Sequence, residues 1–275
     1  MHIAVVPARN EAGRIGIVLR NLLSLPLSYI IAVINGCTDS TLDEALNIKD
    51  NRIILLVFTE PLGIDIPRAV GASFAHKLGA TGVVFVDGDM TGDFQLHLSS
   101  ILDALKQGVD LALVNCYPYI TSRQKLTSIV LRFRGLLNMG LGLYKDLGLA
   151  SPTHGPHGIS RRLFEIVPLD YLAVPPSVLV GAKKNNLNIK VVTSIPHSLL
   201  SSPARKRHHT RMITHTIIGD CLQALCICKG CTISRAYGKH DFDGYHSGRR
   251  FDLLLQWEVA LAQSDTNYLN QHLLV

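Results

Sequence analysis

Two aspartates separated by one glycine, Asp87 and Asp89, are the residues of this sequence best suited to chemistry. They follow directly on an apolar run that begins at Gly82, in the stretch GVVFVDGDM. Carboxylate oxygens, together with water and substrate phosphates, are the ligands that Mg²⁺ and Mn²⁺ prefer. The intervening glycine lets the backbone approach closely. We therefore predict a Mg²⁺ or Mn²⁺ site at this pair, with a plain surface turn as the alternative.

The elements around the pair predict how it is positioned. Apolar runs that read as strands, at 2–8, 29–35, 52–58 and 82–87, alternate with helix-like stretches. Such alternation predicts parallel pairing. Continuous Val, Ile and Leu runs predict strands that are covered on both faces. The predicted fold class is therefore α/β, with a doubly wound, mostly parallel, Rossmann-like sheet.

Sheets of this kind bind ligands at the carboxyl ends of their strands. Three polar stretches stand at those ends: Pro7–Glu11, Asn35–Asp39 and Asp87–Asp89. The chain lacks Gly-x-Gly-x-x-Gly after its first strand, which disfavours a dinucleotide dehydrogenase. It also lacks Gly-x-x-x-x-Gly-Lys-Ser/Thr, which excludes a P-loop NTPase. A metal–diphosphate site without a glycine-rich cradle remains.

Three motifs in this order and spacing, VVPARNEAGRIGIVLRNL, VINGCTDST and VVFVDGDM, resemble the nucleotide-binding half of family 2 glycosyltransferases. The resemblance covers residues 3–95 and implies the A-type glycosyltransferase fold. It implies a hexosyltransferase that moves a sugar from a UDP- or GDP-sugar to a hydroxyl acceptor with the help of Mg²⁺ or Mn²⁺. A sugar-phosphate nucleotidyltransferase and a non-catalytic sugar-nucleotide-binding scaffold are the alternatives.

The resemblance assigns roles to nine residues. The first loop should contact the nucleoside, the second the base and ribose, Arg68 the diphosphate, and the aspartate pair the metal and sugar-nucleotide. These residues are Pro7, Arg9, Asn10 and Glu11 in the first loop, Asn35 and Asp39 in the second, then Arg68, Asp87 and Asp89. Asn35 and Cys37 replace the Asp and Ser usual in the family. Simpler alternatives are a helix-dipole role for Glu11, an N-cap role for Asp39 and a solvated Arg68.

The second half offers weaker signals. Residues 151–160 contain His154 and His157 but no carboxylate, so these histidines are the candidate catalytic bases, with Asp89 as the other catalytic residue. Relatives that make glucosyl-phosphoglycerate place a metal-binding histidine after a late strand, and His197 has a similar position. Residues 151–168 are expected to be a loop entering a helix, and 238–250 an exposed, mobile loop that closes over the donor.

Charge divides the chain. Residues 1–115 hold 8 Lys+Arg and 12 Asp+Glu, whereas residues 116–275 hold 19 and 9. We expect one continuous domain with a nucleotide-sugar-binding half at 1–115, and an acceptor-binding half with a C-terminal helical extension at 116–275. The basic second half, with a cluster at Arg205, Lys206, Arg207, His208, His209 and Arg211, favours an anionic partner. Without interleaved aromatics, nucleic acid is disfavoured.

The sequence also bears on location and cysteine use. No apolar run approaches the roughly 18 residues of a spanning helix, and the N-terminus lacks a signal-peptide pattern. We expect a cytoplasmic protein. Segment 127–144 is read as a buried helix, with contact to the inner membrane surface and a lipid-linked acceptor as the alternative. The cluster from Cys221 to Cys231 is read as buried thiols rather than a metal site. A homodimer is left open.

Overall fold

A mixed sheet of eight strands forms the centre of the protein. The computed structural model describes residues 1–118, 125–204, 206–264 and 273–274. The strands are β1 (His2–Ala8), β2 (Tyr29–Asn35), β3 (Ile53–Phe58), β4 (Gly82–Phe85), β5 (Leu111–Asn115), β6 (His157–Ser160), β7 (Ile189–Ser194), the hairpin β8 (Ala236–Tyr237) and β9 (His240–Asp241), and β10 (Leu273–Leu274). The large sheet has the order β10-β3-β2-β1-β4-β6-β5-β7, and β8 and β9 form a separate two-stranded sheet.

Helices cover both faces of this sheet. They are α1 (Ile15–Leu23), α2 (Thr41–Leu46), α3 (Ile66–Lys77), α4 (Gln95–Lys106), α5 (Lys125–Gly140), α6 (Tyr144–Leu147), α7 (Arg161–Ile166), α8 (Leu169–Leu172), α9 (Pro176–Lys184), α10 (Arg207–Lys229) and α11 (Phe251–Gln263). Short 3₁₀ turns span His197–Leu200 and His246–Gly248. Every pairing in the large sheet is parallel except those of β6, which runs antiparallel to β4 and β5. The predicted α/β class with a mostly parallel, doubly wound sheet is confirmed.

The core has two layers because the first strands are buried on both faces. Along β1, Ile3 and Val5 pack into one apolar cluster, whereas Ala4 and Val6 pack into the other. Helices α3, α5, α9, α10 and α11 contribute to the first cluster, and α1, α2 and α4 to the second. Burying apolar surface on both sides of the strands is the main force that fixes their ends in place.

The four strands predicted at 2–8, 29–35, 52–58 and 82–87 lie within two residues of their predicted bounds. Segment 127–144 is largely the helix α5, which buries one face as expected. The prediction that 151–168 is a loop entering a helix is wrong at 157–160. These four residues form β6, which is inserted between β4 and β5. Helix α10 begins at Arg207 and therefore includes much of the basic cluster.

Segment 238–250 is not simply an exposed loop. It contains β9 and a 3₁₀ turn, and its Arg249 side chain has 0% exposed area. The backbone N–H of Arg250 also donates to the carbonyl of Leu62, at 2.9 Å. The buried Arg249 guanidinium and the hydrogen bond from Arg250 to Leu62 hold the C-terminal end of this segment in place. The segment is therefore not a freely mobile lid. Arg205 lies outside the described residues.

Candidate functional site

Three polar loops meet at one edge of the sheet. Strand β1 pairs in parallel with β2 on one side and with β4 on the other, so the loops that follow these strands are neighbours. The backbone N–H of Gly88 donates to the carbonyl of Pro7, at 3.1 Å. A Cβ at position 88 would lie 3.1 Å from that carbonyl and from the Ala8 side chain. Glycine thus allows the aspartate-bearing loop to pack closely against the first loop.

The first and second loops are joined by hydrogen bonds. Asn10 adopts a left-handed conformation, with φ of 56°. Its side-chain oxygen accepts from the backbone N–H of Thr38, at 2.9 Å. The backbone N–H of Asn10 contacts the Cys37 sulfur at 3.3 Å. Arg9 is exposed at the tip, whereas Asn10 fixes the relative position of the two loops.

Glu11 and Asp39 strengthen this junction. The backbone N–H of Glu11 donates to the Thr41 hydroxyl at 2.7 Å, and the Glu11 carboxylate accepts from Arg14 at 2.6 Å. Asp39 accepts from the backbone N–H groups of Ala12 and Thr41, at 3.1 and 3.0 Å. Desolvation raises the pKa of Asp39, but the hydrogen bonds from Thr41 and Ala12 outweigh it, and the net shift is downward. Asp39 is therefore an exposed, ionised carboxylate beside the first loop.

The amide of Asn35 supports the backbone of the loop after β3. Its oxygen accepts from the N–H of Leu62 at 2.6 Å, and its nitrogen donates to the carbonyl of Gly63 at 3.0 Å. Asn35 is buried. An aspartate could not make the second bond, which explains why an amide suits this position where the related motif has a carboxylate.

Arg68 holds Asp87 in its ionised form. Its Nη2 donates to Asp87 Oδ1 at 2.6 Å, and its Nη1 donates to Asp65 Oδ1 at 2.6 Å. Desolvation raises the pKa of Asp87, but the charge and hydrogen bond of Arg68 outweigh it, so the net shift is downward. Arg68 is buried, so the alternative of a solvated helix arginine is wrong.

Asp89 lies beside the loop after β7. The Ser202 hydroxyl donates to Asp89 Oδ1 at 3.3 Å. His197 opens the 3₁₀ turn in this loop, and its backbone N–H donates to the carbonyl of Cys116 at 3.1 Å. Desolvation and the charge of Arg134 lower the pKa of His197. The negative charge of Asp89 acts in the opposite direction but does not outweigh them. His197 is thus close enough to Asp89 to sense its charge.

Three rings line the side of the site toward β5. The His154 and His197 rings meet edge to face at 5.0 Å between centroids, and Tyr117 lies 5.7 Å from His154 and 5.9 Å from His197. His157 lies deeper on β6, is 3% exposed and stacks on Phe85 at 4.8 Å. We call Tyr117, His154 and His197 the ring cluster; His157 is not a member of it.

The predicted role of His154 and His157 as catalytic bases is disfavoured. Desolvation, aided by Arg134 and His197, lowers the pKa of His154 to about 3. Desolvation, aided by Arg68, lowers the pKa of His157 to about 3 as well. A general base works best when its pKa lies near the operating pH. Both imidazoles are neutral at pH 7 and weakly basic, so they are suited to packing and hydrogen bonding rather than to taking a proton.

A chain of buried ion pairs continues from Asp87 to the C-terminal part of the protein. We call it the ion chain, and its members are Asp87, Arg68, Asp65, Arg249, Asp220 and Arg235. Arg249 bridges Asp65 at 2.8 Å and Asp220 at 2.7 Å, and Arg235 also donates to Asp220 at 2.7 Å. Apart from Asp87 and Arg68, these residues were not predicted from the sequence. Only Asp220 carried a local signal, as a single acid in the apolar stretch TIIGDCLQALC.

Arg134 on α5 is another buried charge near the site that was not predicted from the sequence. It is 2% exposed, and among the residues that the structure describes its Nε has no hydrogen-bond partner. One turn later, Asn138 donates to the carbonyls of Gly148 and Ala150 at 2.8 and 3.0 Å, which positions the chain that leads to His154. The signal in the sequence was an arginine within an apolar helical segment, where Arg132 is exposed and Arg134 is not.

The donor set near Asp87 and Asp89 fits Mg²⁺ or Mn²⁺. Carboxylate oxygens are ligands of these ions, which usually combine one or two carboxylates with substrate phosphates and water. Within the described ranges, no three His, Cys, Asp or Glu side chains converge on a common metal position. Asp87, Asp89 and His197 therefore do not form a closed metal cage.

Two further findings concern the cysteines and the helices. All six cysteines are free thiols; Cys221 is buried, whereas Cys231 is exposed, so the reading of the cluster as buried thiols holds only in part. Burial raises the pKa of Cys221 to about 12. In the part of the chain that the structure describes, none of the helices combines the length and the hydropathy needed to cross a bilayer.

Comparison with known proteins gives a family and a set of similar folds. Residues 3–165 match the profile of glycosyl transferase family 2. No curated protein sequence matches the chain significantly. Glucosyl-3-phosphoglycerate synthase from Mycobacterium tuberculosis, in complex with Mn²⁺, UDP and glucosyl-3-phosphoglycerate, has a similar fold at 17% identity and a TM-score of 0.59, over 85% of this chain and 81% of that one.

Two other structures give comparable values. The same synthase with Mn²⁺, UDP-glucose and phosphoglyceric acid matches at 18% identity and a TM-score of 0.58, over 85% of this chain and 81% of that one. A mycobacterial protein matches at 19% identity and a TM-score of 0.60, over 85% of this chain and 76% of that one. At these identities the likeness concerns the fold.

Proposed function

The chain belongs to glycosyl transferase family 2, and on that basis we propose that it transfers a sugar from a nucleotide-diphosphate sugar to a hydroxyl acceptor at the carboxyl edge of β1, β2 and β4. The observation that carries this assignment is the aspartate pair. Asp87 is kept ionised by Arg68, and Asp89 follows it in the loop after β4, a strand that is buried on both faces. A rigid strand thus delivers two carboxylates to the crevice where such sheets bind ligands.

The donor nucleoside is assigned to the first two loops. Arg9 and Asp39 are exposed there, while Asn10, Glu11 and Asn35 hold the loops in position. Pro7 contributes its carbonyl to the bond with Gly88. The structures of the similar synthase contain UDP or UDP-glucose, which favours a UDP-sugar over a GDP-sugar.

The donor diphosphate is assigned to the aspartate crevice. Asp89, with Asp87 and His197, would hold Mg²⁺ or Mn²⁺, the latter being present in the similar synthase. A divalent cation stabilises the charge that develops on a diphosphate leaving group. The protein's own part is to keep Asp87 deprotonated through Arg68 and to place His197 beside Asp89 through the bond to Cys116.

The acceptor is assigned to residues 116–275, the more basic half, and residues 1–115 to the donor. His154, a member of the ring cluster in the second half, is close enough to Asp87 to influence the pKa of that carboxyl. Because His154 and His157 are weak bases, their proposed part is to exclude water and orient the acceptor. The exposed cations Lys206, Arg207 and Arg211 extend the positive surface on that side. A cytoplasmic location and peripheral membrane contact stay predictions.

Thermal unfolding tests the proposal. The protein is melted with UDP, GDP, CDP and ADP, each with and without Mn²⁺. A ligand at 100 times its Kd stabilises the folded state by about 2.7 kcal/mol. We expect one nucleotide, UDP, to raise Tm in the presence of Mn²⁺, and Asp89→Asn to lose that rise while the exposed Asp93→Asn retains it. If no nucleotide shifts Tm under either condition, the donor site is wrong.

A further inference from the structure

The loop between β3 and α3 is held from two sides. On one side, the buried amide of Asn35 binds the backbone of this loop at 2.6 and 3.0 Å. On the other side lies the segment 246–250, which we call the C-terminal turn. A Cβ at Gly63 would collide with the carbonyl oxygen of Gly248, so the loop and the C-terminal turn touch backbone to backbone. The loop therefore links a donor-site residue to the far end of the chain.

Asp65 ends this loop in an uncommon conformation. It precedes α3 with a left-handed backbone, at φ of 62°, and its side chain makes no capping hydrogen bond to the helix. A non-glycine residue held in this region points to a local constraint. Both carboxylate oxygens bind arginines instead: Oδ1 accepts from Arg68 at 2.6 Å, and Oδ2 accepts from Arg249 at 2.8 Å. Asp65 is thus oriented toward two guanidinium groups rather than toward its own helix.

Planar groups connect Arg249 to Asp87. Arg249 is fixed by the buried Asp220 on α10, to which its Nη1 and Nη2 both donate at 2.7 Å. The guanidinium of Arg68 donates through Nη1 to Asp65 and through Nη2 to Asp87 Oδ1, each at 2.6 Å. The directions of these N–H groups are fixed relative to each other, because a guanidinium is a rigid fork. The orientation of Asp65 therefore determines where Arg68 can hold Asp87.

The anchoring groups lie outside the part of the chain that matches the family profile. That match ends at residue 165, whereas Asp220 belongs to α10 and Arg249 to the C-terminal turn. Arg68 and Asp87, by contrast, lie within it. Replacing a group that orients a metal ligand without touching the metal commonly changes metal affinity or activity about 10- to 100-fold. An effect of this size is large enough to measure at the donor site.

We propose that Asp65 and Arg249 are positioning residues for the donor site. Together they fix the Arg68 guanidinium, which orients the Asp87 carboxylate for the metal and the diphosphate. The inference rests on the proposed function, because it concerns the same aspartate crevice. Without Arg249, one oxygen of Asp65 loses its cation, and the Arg68 fork turns both of its amino groups toward Asp65 and away from Asp87. The C-terminal turn thus influences donor affinity through Arg68 rather than by contact with the donor.

The test titrates UDP into the full chain at one fixed Mn²⁺ concentration and measures the dissociation constant by calorimetry. The temperature is one at which circular dichroism shows each variant folded. The test variants are Arg249→Met and Asp65→Asn, since asparagine also tolerates a left-handed backbone. Arg235→Met is the matched control, because Arg235 is a buried partner of Asp220 that makes no contact with Asp65 within the described residues. We expect the dissociation constant to rise about tenfold in the test variants and to stay near the native value in the control.

A double-mutant cycle shows whether the effect passes through Arg68. In an Arg68→Met background, Arg249→Met should weaken UDP binding no further, because the group through which it acts is absent. Equal weakening by Arg249→Met in both backgrounds would overturn the proposal. Native-like UDP binding in folded Arg249→Met and Asp65→Asn would overturn it as well. An equal loss in Arg235→Met would do the same, since these residues would then have a role in stability only.

A crystal structure of Arg249→Met separates this inference from the proposed function, because it needs no donor. We expect Nη2 of Arg68 to leave Asp87 and to move toward Asp65. Unchanged contacts of Arg68 with both carboxylates, at the native 2.6 Å, would overturn the inference even if UDP binding were weaker. If Arg249→Met does not fold, Asp65→Asn takes its place, and the Arg68 guanidinium should shift relative to Asp87 there. If the native protein binds no UDP with Mn²⁺, the proposed function fails, and these contacts alone decide whether Arg249 positions Asp87.

Discussion

Replacing Arg249 by methionine should destabilise the protein far more than the same change at the next residue. The Arg249 side chain has no exposed area, and it donates to Asp65 at 2.8 Å and to Asp220 at 2.7 Å. Removing one partner from a buried ion pair costs about 3–5 kcal/mol, because the remaining charge stays buried. In Arg249→Met, Asp65 still pairs with Arg68, and Asp220 still pairs with Arg235. We therefore expect a loss of unfolding free energy in the lower part of that range.

The neighbouring Arg250 provides the matched control. It pairs with Asp252 at 2.6 Å and with Glu60 at 3.3 Å, but all three side chains are exposed. Exposed pairs contribute about 0–1 kcal/mol. Free energies of unfolding from urea titrations should therefore differ by at least about 2 kcal/mol between Arg249→Met and Arg250→Met. Equal losses in the two variants would refute the idea that the ion chain is a buried, energetically coupled unit.

Three further predictions concern the site. Asp89→Ala should remove most of the sugar transfer while Asp93→Ala retains it; both should melt near the native Tm, and a normal rate in Asp89→Ala would contradict the metal assignment. Arg68→Met should raise the pKa of Asp87, since Arg68 now keeps it low. The stabilisation from ionised Asp87 is fully present above the ordinary carboxyl pKa, and it is lost as the pH falls through the lowered pKa that Asp87 has in the folded protein. Acid unfolding of Arg68→Met should therefore begin at a higher pH than in the native protein. The acid limb of its pH–rate profile should move in the same direction. His154→Gln should leave the pH–rate profile unchanged between about pH 6 and 8, because the pKa of His154 is about 3; loss of a limb in this interval would show that His154 is the base.

The sheet edge could be predicted because its determinants are local. Each early strand is a continuous apolar run, and each ends in a polar loop, so the positions of Asp87 and Asp89 follow from neighbouring residues alone. Strand β6 could not be found this way. It has four residues, and its strand character depends on pairing with Phe85 and its neighbours, which lie about seventy positions earlier in the chain.

The electrostatics around the aspartates also depend on distant partners. Asp65 and Arg249 are separated by 184 positions, and each is an ordinary charged residue in its local sequence. The histidine pattern at 154–157 predicted bases near the site, and these side chains do lie near Asp87. Their low pKa values arise from burial and from nearby arginines, which the spacing of histidines does not reveal.

The ion chain also has a consequence for how the protein is made. Every motif that marks the donor site has been synthesised once the ribosome has passed residue 89. Arg249 can join the ion chain only when nearly all of the polypeptide has been made. Until then Asp65 and Asp220 lack the cation that they share. A chain cut short before residue 249 therefore carries the complete signature of the donor site without its full electrostatic support. Premature termination and C-terminal proteolysis should accordingly yield fragments that degrade quickly rather than truncated enzymes that compete for the donor.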